Sequence, residues 1–572
     1  MSAWMEAKKE VLKALKTALG KQYAPSVDEL ETPPEPRFGD FAFPCFALAK
    51  GWKKSPVEIA VELVGHIEIK GLIRKVEPRG PYINFFLDTA RFGKIVVEQI
   101  EQEKTAYGHS VSGADKSVLV EYAQPNTHKE IHVGHLRNFF VGYTTTKLLE
   151  TVGYRVIPVT YTNDLGMHVA KCLWAMKKFH VKEVDPSKEE RSAFLGKVYT
   201  EATQASETYP NAKEEISAVF QALESGKRGP FLSLWKKTRK WSIEEIKGVF
   251  KELGLIFQAW YYESDFIESS HLLIEDLKHR QVARLSEGAT IVDLSEEKLG
   301  VNLLVRSDGT LLYNAKDLPL AMRKEEEFHP QRSLYVVDVR QSLAMQQLFA
   351  TLKRMGFQKE LTHLSYDFVT LKEGAMSSRK GNIVRYQDFR DSMVEWAHTE
   401  TQKRHTDWKQ TKMEKVARAV AFSAMRFGML RQDLSKPIVF DMEEALSFDG
   451  FSGPYLLYTY ARIQSILRKV ERRSLEKRNM SSWKTEQEHQ LFVTLASYPH
   501  VVFQTAQDFH LDRLAQYLFE LCKQFSVFYH EVPVLQAETA EQMADRATLV
   551  AVTGQTIKNG LSILGIQTIE EM

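Results

Sequence analysis

Glu121–Tyr122–Ala123–Gln124–Pro125–Asn126–Thr127–His128–Lys129–Glu130–Ile131–His132–Val133–Gly134–His135–Leu136–Arg137 runs from an apolar strand through a Pro-Asn turn into a helix that opens with two histidines around a glycine. Working outward, Val118 to Tyr122 is a short β-branched apolar run. Leu136 to Val152 carries apolar side chains at helical spacing until Gly153 stops it, and Tyr154 to Tyr161 again reads as a strand. The pattern predicts a β-turn-helix-β unit of an α/β fold. Ligands of such units sit at the carboxyl ends of the strands, where the first helical turn offers unpaired N–H groups to phosphate oxygens.

Each residue of the motif has a physical use. Gly134 has no side chain, so a flat adenine ring can lie against its backbone. His132 and His135, three apart on the first turn, can reach phosphates from one face. Paired donors aimed at a pentavalent phosphorus stabilise charge that develops in the transition state, and no base is needed if the attacking group is already a carboxylate. Taken alone, the pair reads as half of a metal site or as two ordinary capping histidines. Far downstream, Met376–Ser377–Ser378–Arg379–Lys380–Gly381–Asn382 gathers hydroxyls, two cations and a Gly-Asn turn, which suits a clamp over a triphosphate. Alone, it reads as a basic surface turn.

Together the two motifs resemble the signatures of class I aminoacyl-tRNA synthetases, with His132–Val133–Gly134–His135 as HIGH and Met376 to Lys380 as KMSKS. More narrowly the chain resembles the arginyl-tRNA synthetase family over nearly its whole length. The stretches that carry this are Gly80 to Phe85, Asn163–Asp164–Leu165–Gly166, Glu263–Ser264, Arg306 to Thr310, Leu312 to Asp317 and Gly453 to Tyr458. The resemblance implies a Rossmann-like catalytic domain, an N-terminal α+β additional domain and a C-terminal all-helical anticodon-binding domain. It implies as partners tRNA(Arg), L-arginine and ATP with Mg²⁺, all as substrates, with no structural metal.

A guanidinium has five donors in a fixed fork and never deprotonates, so its pocket needs carboxylates and carbonyl oxygens. Asp317 lies four residues after Tyr313, which puts a carboxylate and a phenol on one face if the segment is helical. The resemblance implies that Tyr313 and Asp317 hold the guanidinium, that Asn126 and Gln341 hold the α-amino and carboxylate end, and that Glu121 is a further pocket carboxylate. Such a pocket excludes lysine, since each unmet buried acceptor costs about 1 to 3 kcal/mol, and an editing domain is unnecessary.

The chain departs from the family pattern in the clamp. Ala375 and Ser378 stand where its lysines are usual. Arg379 and Lys380 can substitute, and Lys129 sits where some members supply a compensating lysine from the other side of the pocket. Gln124 replaces a more usual serine, with little expected effect. Catalytic charge and donors are thus assigned to Lys129, His132, His135, Arg379 and Lys380, and ATP binding to Gly134, both histidines, Met376, Ser377 and Ser378.

At 572 residues the chain exceeds one growing core, and 44% hydrophobic with 26% charged residues is a globular composition. A formal charge of +2 calls for local basic patches rather than a global field to bind RNA. Cys45, Cys172 and Cys522 are too scattered for a zinc knuckle or a disulfide framework. No stretch reads as a signal peptide or a membrane span, so a cytoplasmic protein is expected; a monomer is expected as well, though no sequence feature sets the oligomeric state.

Three domains are expected. Residues 1–112 form the additional domain, which by resemblance contacts the tRNA corner; Phe38, Phe41, Tyr82, Asn84 and Phe85 are either a base-stacking surface or core. Residues 113–435 form the catalytic domain, with a largely helical insertion near 180–290 that includes Phe231 to Lys237 and Ile243 to Leu255. Residues 436–572 form the anticodon domain, where a basic run from Arg468 to Arg473 ends a helix beside the exposed-looking Tyr458 and Tyr460. By resemblance Tyr458, Arg462 and Met572 line the anticodon-loop site.

The implied reaction has two steps. The arginine carboxylate attacks the α-phosphorus of Mg-ATP, and a hydroxyl of the terminal adenosine of tRNA then attacks the adenylate; family members generally need tRNA before they activate arginine. A synthetase-like paralogue that does not charge tRNA and an RNA-binding protein with a decayed pocket are the competing readings. Retention of both histidines, Asn126, Tyr313, Asp317 and Gln341 argues against decay.

Overall fold

The computed structural model describes residues 2–20, 23–180, 186–187, 190–372, 384–470 and 478–572. The chain opens with α1 (Ala3–Leu19), which buries Val11, Leu12, Leu15 and Leu19 and leaves Lys9, Lys13 and Lys16 outside. There follow β1 (Phe41–Pro44), α2 (Phe46–Trp52), α3 (Pro56–Val64), β2 (Ile73–Arg79), β3 (Tyr82–Leu87) and α4 (Thr89–Glu103). The three strands form an antiparallel sheet in the order β1-β3-β2. Of the aromatics considered for base stacking, Phe41 and Phe85 are fully buried in this domain's core, and buried Asn84 spends its amide on the Phe38 carbonyl. Phe38 and Tyr82 remain half-exposed, with Arg37 and Arg79 against the Phe38 ring.

The central sheet is parallel, in the order β11-β10-β4-β5-β6. Its strands are β4 (Ser117–Glu121), β5 (Arg155–Thr162), β6 (Ala259–Tyr262), β10 (Arg332–Asp338) and β11 (Glu360–Tyr366). β4 is buried along its whole length, as a middle strand covered on both faces must be. The chain leaves β4 through α5 (Val133–Thr151) toward β5 and β6, then returns to the other side of β4 as β10. That reversal opens a crevice beyond the carboxyl ends of β4 and β10.

The expected helical insertion needs correcting. Between β5 and β6 lie α6 (Met167–Phe179), α7 (Arg191–Thr208), α8 (Ala212–Glu224) and α9 (Pro230–Glu252). Phe231 to Lys237 and Ile243 onward are one continuous helix, and the helical part ends at Glu252. β6 belongs to the central sheet, followed by α10 (Ile267–His279) and an antiparallel ribbon of β7 (Arg284–Ser286), β8 (Ala289–Asp293) and β9 (Val301–Val305). The short run Ala259–Tyr262 was masked in the sequence by the helices before it, and only pairing with β5 makes it an edge strand. Then come α11 (Tyr313–Phe328), β10, α12 (Ser342–Arg354), β11 and β12 (Val369–Leu371).

After α13 (Tyr386–Arg404) and α14 (Gln410–Leu430), β13 (Ile438–Phe440) pairs in parallel with β12. The sheet-bearing part of the chain therefore runs past the expected limit of 435, because a strand three residues long gives no period to read. The remainder is helical: α15 (Met442–Leu446), α16 (Gly453–Lys469) and three long helices over Glu486–Asp508, Leu511–Glu531 and Ala540–Ile563. Tyr460 is only 6% exposed, which corrects its expected surface position, whereas Tyr458 is half-buried. Of the basic run, Arg468 and Lys469 close α16, and Glu471, Arg472 and Arg473 lie outside the described residues.

One apolar core joins the N-terminal domain, the α5 side of the central sheet and the C-terminal helices. Polar ties cross the same junction. Tyr107 donates to the Leu495 carbonyl at 2.7 Å, Asn559 donates to the Lys104 and Tyr107 carbonyls, and buried His489 bridges Asp40 and Thr89 at 2.7 and 3.1 Å. Gly93 is needed where α4 meets the C-terminal helices, since a Cβ there would stand 2.5 Å from the Phe492 ring.

Candidate active site

A cavity of about 1050 Å³ opens in the crevice, lined by the ends of β4 and β10, the first turn of α5 and the start of α11. It gathers Glu121, Asn126, Lys129, His132, Gly134 and His135 from the opening motif, and Tyr313, Asp317 and Gln341 from nearly two hundred residues away. Met376, Ser377, Ser378, Arg379 and Lys380, with Ala375, lie outside the described residues. Their flanks are anchored. Lys372 donates to the Phe440 carbonyl at 3.1 Å, and the Val384 carbonyl accepts from the Val133 N–H at 3.1 Å.

His132 caps α5 in extended backbone, and its N–H donates to His135 Nδ1 at 3.1 Å. An accepting Nδ1 places the proton of neutral His135 on Nε2. Burial, with Lys129 and Arg340 nearby, holds the His132 imidazole down at about 4, and burial holds His135 well below the usual histidine range. Both are therefore neutral donors rather than acids, and positive charge at this end comes from Lys129, since Arg340 is paired with Asp338 at 2.7 Å. Lys129 also lies 5.0 Å from the centre of the Tyr199 ring on α7. Gly134 faces the His132 ring, which a Cβ would meet at 3.0 Å.

The Pro-Asn turn is held in a demanding shape. Ala123 and His128 both have positive φ, at 56° and 59°. Fully buried His128 is fixed by Thr127 at 3.0 Å and Thr238 at 2.7 Å, while its N–H donates to Ser242. Burial keeps it neutral, at about 3. The insertion helix α9 thus braces the loop that carries Asn126 and Lys129. Gln124 accepts from Asn138 Nδ2 at 3.2 Å in the same loop.

At the other end the charges nearly balance. Lys324 Nζ lies 2.5 Å from Glu121 and 3.2 Å from the Tyr335 hydroxyl, and Lys316 Nζ lies 2.5 Å from Glu263. Asp317, one turn along α11 from Tyr313, has no ion pair among the described residues. Burial, then the Glu121 and Glu263 charges, push its carboxyl up to about 8. Glu121 is thus already neutralised, so it shapes the charge balance at the cavity floor more than it supplies a free carboxylate.

Sequence reasoning missed Tyr161, Asn163, His168, Asp338 and Arg340, all of which line the cavity. Asn163 stood in a quoted stretch without a role. The others lie at strand ends or helix starts, where only the sheet order brings them to the crevice. Among the anticodon candidates, Arg462 donates to the Tyr458 hydroxyl at 2.9 Å from the next turn of α16 and stacks on its ring at 4.7 Å. Met572 is half-buried against the main core.

Comparison with known proteins agrees with this geometry. The model of the class I (R) tRNA synthetase catalytic domain matches residues 96–442. That of the arginyl tRNA synthetase N-terminal domain matches 5–87, and that of the DALR anticodon binding domain matches 456–572. A curated relative from Bdellovibrio bacteriovorus, arginine–tRNA ligase, is 39% identical over 98% of each chain. Another of that name from Clostridioides difficile is 33% identical over 95% of each. The solved arginyl-tRNA synthetase of Thermus thermophilus superposes with a TM-score of 0.77 at 26% identity, covering 99% of this chain and all of that one.

Proposed function

The chain belongs to the arginyl-tRNA synthetase family and joins arginine to tRNA, and from that premise we propose how its residues divide the work. Class I enzymes use ATP, generally with Mg²⁺, and proceed through an aminoacyl-adenylate. The observation that carries the assignment is Asp317, the carboxylate left over when Glu121 and Glu263 have taken Lys324 and Lys316. It receives the guanidinium of L-arginine, with Tyr313 beside it, while Asn126 and Gln341 hold the α-amino and carboxylate end.

The arginine carboxylate then points toward the first turn of α5, where ATP lies with its adenine against Gly134. As pyrophosphate leaves, the neutral donors of His132 and His135 and the charges of Lys129, Arg379 and Lys380 stabilise the growing negative charge, with Met376, Ser377 and Ser378 contacting the nucleotide. A hydroxyl of the terminal adenosine of tRNA(Arg) attacks the adenylate next, and AMP departs. Residues 1–112 contact the tRNA corner, and the C-terminal helices read the anticodon loop near Tyr458, Arg462 and Met572. The enzyme acts as a cytoplasmic monomer; among the described residues no helix is long and apolar enough to cross a membrane.

Charging of tRNA transcripts with arginine, with lysine as competitor, tests the assignment. Arginine-specific charging lost in Asp317→Ala and slowed roughly a hundredfold in Lys129→Ala is expected. Full activity in both variants would sink these roles.

A further inference from the structure

Lys129 is held by a ring and not by a carboxylate. Among the described residues, Lys129 and Arg340 are the lysine and arginine side chains that line the cavity. Arg340 spends its charge on Asp338 at 2.7 Å, and the carboxylate next to Lys129 in the chain, that of Glu130, is taken by Arg385 at 3.1 Å. Lys129 makes no ion pair among the described residues; its Nζ lies over the Tyr199 ring, 5.0 Å from the centre. After burial, the Lys129 charge helps to keep His132 and His135 neutral, so the ammonium stands near the first turn of α5.

The ring is delivered by the packing of α7. Ser192, Gly196 and Tyr199 follow one another at steps of four and three, so they share one face of the helix. Ser192 Oγ donates to Glu245 on α9. Gly196 packs on the Glu130 side chain, whose carboxylate carbon a Cβ would meet at 2.5 Å, and the missing side chain lets the helix come this close. One turn on, Tyr199 reaches Lys129. The ring is half-buried and is not part of the cavity lining, so it meets the lysine from outside the cavity.

A ring face attracts an ammonium through its quadrupole and leaves the charge and the N–H bonds unspent. A carboxylate in the same place would also hold the lysine but would cancel its charge. The difference matters in a chain with Ala375 and Ser378 where clamp lysines are usual. We propose that Tyr199 is a positioning residue for adenylate formation: its ring fixes the Lys129 ammonium beside the first turn of α5 with its charge free for the phosphates of ATP. The proposal rests on the assignment of Lys129 to that charge.

The test is arginine-dependent exchange of pyrophosphate into ATP, measured on the full-length protein with tRNA(Arg) present. Tyr199→Leu should lower kcat about tenfold, as for a lost contact between a cation and a ring in a partly desolvated place, with the KM for arginine within about twofold of wild type. Tyr199→Phe, which keeps the ring face and loses the hydroxyl, should retain wild-type exchange. In a Lys129→Ala background Tyr199→Leu should cost nothing further, as two residues acting through one interaction require. Tyr199→Glu should be slower than Tyr199→Leu, since it pairs with the lysine, and it keeps the test usable if Tyr199→Leu does not fold. Equal losses in Tyr199→Phe and Tyr199→Leu, or the same loss repeated in the Lys129→Ala background, would overturn the proposal. So would full exchange in Tyr199→Leu, or unchanged exchange with slower transfer to tRNA, which would give the ring to the tRNA end. If Lys129→Ala alone keeps full exchange, the assignment of Lys129 fails and this inference falls with it.

Discussion

Acid should compete with arginine for Asp317. Glu121, Glu263 and Asp317 face two ammonium groups, and two closed pairs leave one carboxylate over, held up at about 8. The empty site therefore binds a proton at neutral pH, and a guanidinium that never deprotonates must displace it. A raised carboxyl keeps its proton below its pKa, so arginine affinity is full above about pH 8 and falls as the pH falls. Competition by one proton weakens apparent binding about tenfold per unit well below that point, or about 50-fold from pH 8 to pH 6. About 0.9 proton should be released per arginine bound at pH 7. Titration calorimetry in buffers of different ionisation enthalpy, with tRNA present, counts these protons directly. His132 and His168, at about 4 and 3, do not titrate in this window. Glu263, pushed up to about 7 by burial, does, and Glu263→Gln separates its share. Asp317→Asn should bind weakly and release no more than the share that Glu263 contributes. An affinity that stays flat from pH 6 to 8, with no proton exchanged, would refute the claim that Asp317 meets the guanidinium.

Arg137 is fully buried and donates to the carbonyls of Asp367, Asp433, Leu434 and Lys436, gripping the roots of β12 and β13 from α5. Arg137→Lys keeps the charge and loses the fork. It should cost about 2 to 4 kcal/mol in urea unfolding and lower kcat for charging with little change in the KM for arginine, because β12 forms a cavity wall while Asp317 lies elsewhere. His489→Leu leaves Asp40 buried with its Leu87 N–H as the remaining partner. A loss of about 1 to 3 kcal/mol is expected, seen as a lower Tm; an unchanged Tm would mean that the junction between the terminal domains does not depend on this bridge.

Local pattern reveals what local physics decides. The apolar runs at Val118 and Tyr154, the helix stopped by Gly153 and the four-residue step from Tyr313 to Asp317 are each set by neighbours in the chain, and each appears in the structure as β4, β5, α5 and the first turn of α11. The HIGH-like motif was legible for the same reason, since a helix start and its histidines are contiguous. Elements defined by distant pairing were not: β6 and β13 are too short to carry a period and exist as strands only beside β5 and β12.

The chain by itself determined the fold class, the family and nine of the residues that line the cavity, because those depend on residue type and spacing. Tertiary structure decided which charges remain. Lys316 and Lys324 look like ordinary helix lysines until folding buries them against Glu263 and Glu121, and only then does Asp317 become the carboxylate without a partner. Likewise, His168 becomes a neutral ring only when the sheet order places it beyond the end of β5, out of water and next to cations. Charge compensation and desolvation are properties of groups brought together in space, and no spacing along the chain encodes them.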